Sequence, residues 1–144
     1  MIVLDANILL YAYDSSSKLH APAQKWVADT FSSGAPIGLP WHTILAFLRI
    51  ATNPRLPGSR LDTLEAAEIV QEWLGQSNVR LLTPGDEHWV LLQQMLVEGQ
   101  AKGPLVSDAH LAALTIEHGG TLQTTDRDFA RFPALRWVNP LENS

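Results

Sequence analysis

Short, continuous apolar runs recur along this chain, each followed by an amphipathic stretch of helical length, and that alternation limits the possible folds more than any other feature. Ile2-Val3-Leu4 is apolar at every position rather than at alternate ones, as expected of a strand covered on both faces. Ile37-Gly38-Leu39, Val79-Arg80-Leu81-Leu82, Thr121-Leu122-Gln123-Thr124 and Arg136-Trp137-Val138 read as further strands. Between them the pattern predicts a short helix over Ile8–Tyr13 and a longer one from near His20 to before Ser33, with Pro22 in its first turn. A third helix over Trp41–Thr52 is stopped by Asn53-Pro54, and a fourth is capped by Asp62 and closed by Gly75. A fifth starts at Asp86 and runs to about Val97, and a sixth runs from Asp108 to His118 with Ser107 as its cap. Pro54–Ser59 and Gln100–Pro104 are loops, and Asp128–Phe132 is a turn or short helix. Strands separated by such helices pair in parallel. The predicted class is α/β, a three-layer α/β/α sandwich around a short, mostly parallel central sheet.

The chain's 144 residues fit one domain, expected to span 1–144. The absence of cysteine excludes a disulfide framework, a thiolate zinc site, an iron–sulfur cluster and a cysteine nucleophile. Met1–Leu4 is too short for a signal segment, and no apolar run approaches the roughly 20 residues of a membrane span. The expectation is a cytoplasmic protein with no membrane partner. Charged residues make up 17%, below the typical figure of about 25%. Either the surface is simply plain, or apolar surface is covered by another chain, for which a homodimer is the expected form. The 15 acidic residues against 10 basic ones, net −5, argue at first sight against nucleic acid.

In open parallel sheets, ligands bind outside the carboxyl ends of the strands. Asp5 closes the first strand, Asp126 and Asp128 follow the fourth, and Asp108 opens a helix on the same crevice. Together they would repel one another in a half-buried cleft unless a divalent cation neutralised them, and an all-oxygen set favours Mg²⁺ or Mn²⁺. Each has a duller reading: Asp108 as a helix-terminal charge, Asp126 and Asp128 as turn residues. Asp5 is harder to dismiss, because a carboxylate at the end of an apolar strand needs a partner. Without the four pocket carboxylates the chain is close to neutral, and seven of its ten basic residues are arginine. Arg49 and Arg55 flank the loop after the third helix, where they either contact phosphate or are solvated surface. His110, two residues past Asp108, either touches the site or lies on the helix surface; the other four histidines show no ligand spacing, and the five tryptophans read as core or interface. The helix holding Leu61, Leu64, Val70 and Leu74 is either an interaction face or ordinary core.

Several of these segments carry a family resemblance. Asp5-Ala6-Asn7 after the first strand, Ala46-Phe47-Leu48-Arg49-Ile50-Ala51-Thr52-Asn53-Pro54-Arg55, Ser107-Asp108-Ala109-His110-Leu111-Ala112-Ala113-Leu114 and Thr124-Thr125-Asp126-Arg127-Asp128-Phe129 resemble PIN-domain ribonucleases, and most closely the VapC-type toxins of bacterial toxin–antitoxin pairs. The resemblance covers nearly the whole chain. It implies Mg²⁺- or Mn²⁺-dependent cleavage of RNA and a cognate VapB-type antitoxin. By motif, Asp5, Asp108 and Asp126 match the metal-binding acids, Asp128 an accessory one, and Asn7 with Thr124 or Thr125 the polar positions beside the metal. One position departs: many PIN nucleases place a glutamate three residues before an arginine like Arg49, where this chain has Ala46. That leaves open whether one or two ions are held. A degenerate domain that binds RNA or a protein without cutting is the rival expectation. A haloacid-dehalogenase-like phosphatase would want an acid where Asn7 stands.

Overall fold

The computed structural model describes residues 1–58 and 60–142. The chain runs β1 (Ile2–Leu4), α1 (Ala6–Tyr13), α2 (His20–Ser32), β2 (Ile37–Pro40), α3 (Trp41–Ala51), α4 (Thr63–Leu74), β3 (Val79–Leu82), α5 (His88–Glu98), α6 (Leu105–Glu117), β4 (Thr121–Gln123), a 3₁₀ turn (Arg127–Arg131) and β5 (Trp137–Val138). The strands form one sheet in the order β3-β2-β1-β4-β5, every pair parallel. The predicted α/β sandwich is therefore the observed one. β1 lies at its centre, Ile2 facing Ile37 on one side and Thr121 on the other.

Alternate residues of β1 enter different cores, as a two-residue period requires. Leu4 packs with Ile8, Leu9, Ile44, Phe47 and Trp73, whereas Val3 packs with Met95, Leu111, Leu114, Leu122 and Phe132. Helices α1 to α4 thus cover one face and α5 with α6 the other. Two glycines bring β4 against β1. Gly119 takes φ +66° to reverse the chain after α6, and a Cβ on Gly120 would lie 2.6 Å from Val3 Cγ2.

Three helix starts differ from the sequence expectation. α1 begins at Ala6, because Asp5 accepts its N–H at 2.8 Å and serves as the cap. α6 begins at Leu105 behind Pro104, so Ser107 is no cap and Asp108 lies within the first turn. The N–H groups of Leu105 and Val106 are accepted by the carbonyls of Lys102 (3.1 Å) and Gly103 (3.0 Å), so the turn before the helix does the work of a serine cap. α5 begins at His88 rather than Asp86, with no cap from its own side chains. Glu117, at the end of α6, accepts instead from the N–H groups of Gly85 (2.9 Å) and Glu87 (3.1 Å). The predicted cap at Asp62 is present as a reciprocal box with Glu65. Among the described residues no helix is long and apolar enough to cross a membrane.

Candidate metal centre

Parallel pairing of Leu4 with Gln123 puts the ends of β1 and β4 side by side, and the next residue of each strand enters the crevice. Asp5 donates its backbone N–H to Gln123 at 3.1 Å. The Thr124 hydroxyl donates to Asp5 Oδ2 at 2.7 Å and accepts from the Asp126 N–H (3.0 Å) and Asn7 Nδ2 (3.4 Å). One donor and two acceptor sites exhaust a hydroxyl, so this buried group is fully used in joining three of the predicted site residues. Asp126 caps the 3₁₀ turn, its Oδ1 accepting the Asp128 N–H at 2.9 Å, and this turns Asp128 back toward Asp126. Asp108 reaches the same space from the first turn of α6. Asp108, Asp126 and Asp128 each offer a carboxylate oxygen within 4.8 Å of the others.

The charges conflict as anticipated. Burial, then the neighbouring Asp126, Asp5 and Asp128, push the Asp108 carboxyl up to about 6, with Arg131 working against them. Burial also raises Asp5, although its hydrogen bonds to Thr124 and Ala6 and the nearby His42 oppose the rise. Only oxygen donors converge at the three-acid cluster, which suits a hard divalent cation rather than a thiophilic one. Asn7 supplies a second indication of fit: its Nδ2 faces Thr124, while its Oδ1 is buried without a hydrogen-bond partner. A buried carbonyl-type oxygen left this way is rare without an ion or water to receive it.

The remaining predicted residues lie farther out. Thr125 is half-buried and makes no side-chain hydrogen bond among the described residues, so of the two threonines it is Thr124 that joins the acids. Arg49 is exposed in the last turn of α3, close enough to His42 to lower that imidazole's pKa. Arg55 is exposed in the loop beyond, its backbone held by Asn53 Oδ1 at 3.0 Å. Ala46 on α3 is half-buried and brings no carboxylate to the crevice.

Of the imidazoles near the acids, sequence reasoning singled out His110 alone and missed two others. His42 of α3, His110 of α6 and His88 of α5 form a row, with ring centroids 5.7 Å apart from His42 to His110 and 4.8 Å from His110 to His88. His88 Nε2 and His110 Nδ1 share a hydrogen bond of 2.9 Å. His42 senses the charge of Asp5, so the row begins at the acids. Burial lowers the pKa of both His42 and His110. Positions 42 and 88 carry no motif, because only the packing of three separate helices brings them to His110.

Comparison with known proteins places this geometry in context. The PIN domain matches residues 2–135. The chain is 40% identical over 141 residues to Ribonuclease VapC33 of Mycobacterium tuberculosis, covering 98% of this chain and 99% of that one. It is 37% identical over 140 residues to Ribonuclease VapC37 of the same organism, covering 97% of each. The crystal structure of M. tuberculosis VapC20, described as a Sarcin-Ricin loop cleaving toxin, superposes with a TM-score of 0.68 at 17% identity over 94% of this chain and 99% of that one. VapBC2 from Rickettsia felis, bound to a DNA fragment from its promoter, gives 0.67 at 16% identity over 96% and 98%. At such identities the superpositions speak for the fold.

Proposed function

The chain belongs to the PIN-domain family, among its VapC-type ribonucleases, and from that premise we propose that it is an endoribonuclease toxin whose activity depends on a divalent cation, Mg²⁺ with Mn²⁺ able to substitute, held by Asp5, Asp108 and Asp126 with Asp128 as accessory. The observation that carries this reading is the convergence of carboxylate oxygens from α6 and the β4 turn beside the capped end of β1. When bound, the cation would neutralise the crowded carboxylates and lower the pKa of a water in its shell. Asp126 and Asp128 are placed to orient that water, or to take its proton, for attack on phosphorus. Thr124 and Asn7 keep Asp5 and Asp126 in register. The arginines Arg49 and Arg55, free of ion pairs among the described residues, supply positive charge for the RNA backbone.

The partners follow the same logic. A VapB-type antitoxin is the expected inhibitor, since the R. felis neighbour is a VapBC complex. A homodimer accounts for Trp41 and Leu45 on α3 and Trp89 and Val97 on α5, which are 48%, 60%, 61% and 76% exposed. The face read from the sequence on α4 divides: Val70 is buried and Leu61 half-buried, whereas Leu64 and Leu74 are 68% and 36% exposed, and the core contact of the helix is made by Ala66, Val70 and Trp73.

Chelation tests the proposal directly. EDTA should abolish cleavage of a labelled RNA and added Mg²⁺ or Mn²⁺ should restore it, while Asp5→Asn and Asp108→Asn should each cost on the order of 100-fold or more in rate. Nearly full cleavage by either variant would overturn the assignment. RNA binding without cleavage at any metal concentration would favour the degenerate alternative that Ala46 suggests.

A further inference from the structure

The row of imidazoles does not end at His88. Glu117 lies behind it, its Oε1 at 3.9 Å from His88 Nδ1, and both its oxygens are fixed by the N–H groups of Gly85 and Glu87. A Cβ on Gly85 would sit 2.7 Å from Glu117 Oε2, so the glycine lets the carboxylate lie against the loop. His88 Nδ1 is buried and has no hydrogen-bond partner. A ring nitrogen facing a fixed carboxylate carries its proton, because a lone pair there would be repelled. With that single proton on its ring, His88 has only a lone pair on Nε2. The 2.9 Å bond to His110 must then be donated by His110 Nδ1, which leaves His110 Nε2 unprotonated. With His88 singly protonated, the charge at Glu117 selects, through two rings, which nitrogen of His110 is an acceptor.

His110 follows Asp108 by two residues on α6 and packs against His42, which in turn senses Asp5. An acceptor at that place is selective. The backbone of a nucleic acid presents acceptor oxygens at nearly every position, and its one hydroxyl donor along the strand is the ribose 2′-OH. We propose that Glu117 and His88 are positioning residues that hold His110 as its Nδ1–H tautomer, so that His110 Nε2 accepts a hydrogen bond from a ribose hydroxyl of the RNA. The substrate half of this assignment rests on the nuclease reading above, whereas the tautomer does not.

Nitrogen-15 NMR of the imidazoles in the metal-free protein reads the tautomer without any activity. His110 should show a protonated Nδ1 and a bare Nε2, and Glu117→Gln should weaken that bias. Binding of a short fluorescein-labelled single-stranded RNA and of its all-deoxy counterpart, both with Ca²⁺, reads the consequence. His88→Phe should reduce the preference for RNA by about 2–10-fold, the worth of one hydrogen bond. His88→Gln, which can still accept from His110 and donate toward Glu117, should keep most of the preference. A thermal melt confirms that each variant is folded. A His110 protonated on Nε2 would overturn the proposal, as would an unchanged RNA preference in folded His88→Phe. Failure of the unaltered chain to bind either strand would instead overturn the nuclease reading, and the substrate half with it.

Discussion

Thr124 shows how much one hydroxyl can hold. Its three hydrogen bonds join Asp5, Asn7 and Asp126, residues carried by β1, α1 and the turn after β4. Thr124→Val keeps the shape and removes all three bonds, stranding the Asp126 N–H and a largely buried carboxylate. Such losses cost about 1–3 kcal/mol. The expected result is a lower urea midpoint, together with a 10–100-fold drop in cleavage of the kind that loss of a ligand-orienting contact produces. Because the Thr124 bond opposes the rise in Asp5's pKa, the variant's Asp5 should titrate still higher, which carboxyl NMR would detect. Sequence made the carboxylates legible, since acids at the ends of apolar runs have few other reasons to be there. It left Thr124 and Thr125 undecided, because only the strand's pleat determines which of two neighbours turns inward.

The helices divide in the same way between local and remote causes. Where a cap is written next to its helix, as with Asp62 and Glu65, the sequence pattern located the start to the residue. Where the stabilising group comes from far along the chain, as with Glu117 closing the loop before α5, the start at Asp86 was misplaced by two residues. The histidine row was illegible for the same reason. Asp62→Ala should cost about 0.5–2 kcal/mol, since it removes the acceptor of the Glu65 N–H and leaves only the half of the box that Glu65 supplies. α4 presses Trp73 against Phe47, ring centroids 4.7 Å apart, on the face of the sheet away from α5 and α6. A urea titration should therefore show the loss of stability, with cleavage by the folded fraction unchanged. Reduced cleavage at full folding would mean that α4 reaches the acids in a way the packing does not indicate.

For the whole molecule, the crowded acids set the response to pH. With Asp108 raised from 3.8 to about 6, the folded chain holds a proton between those values that the unfolded chain has released. Its contribution to stability is therefore greatest below the unfolded value and is lost as pH rises through about 6. Thermal melts in chelator from about pH 4 to about pH 7 should show a declining term that Asp108→Asn flattens and that Mg²⁺ or Mn²⁺ reverses in the unaltered chain. An identical pH profile for the two proteins would refute this. The sheet order has a consequence in time as well as in space. β1 is made before β2 and β4 yet sits between them, and the Asp5–Thr124 bond spans 119 positions of the sequence. The acids cannot meet until translation has passed β4 and the turn after it, so a growing chain that stops short of Asp126 has no assembled acid cluster.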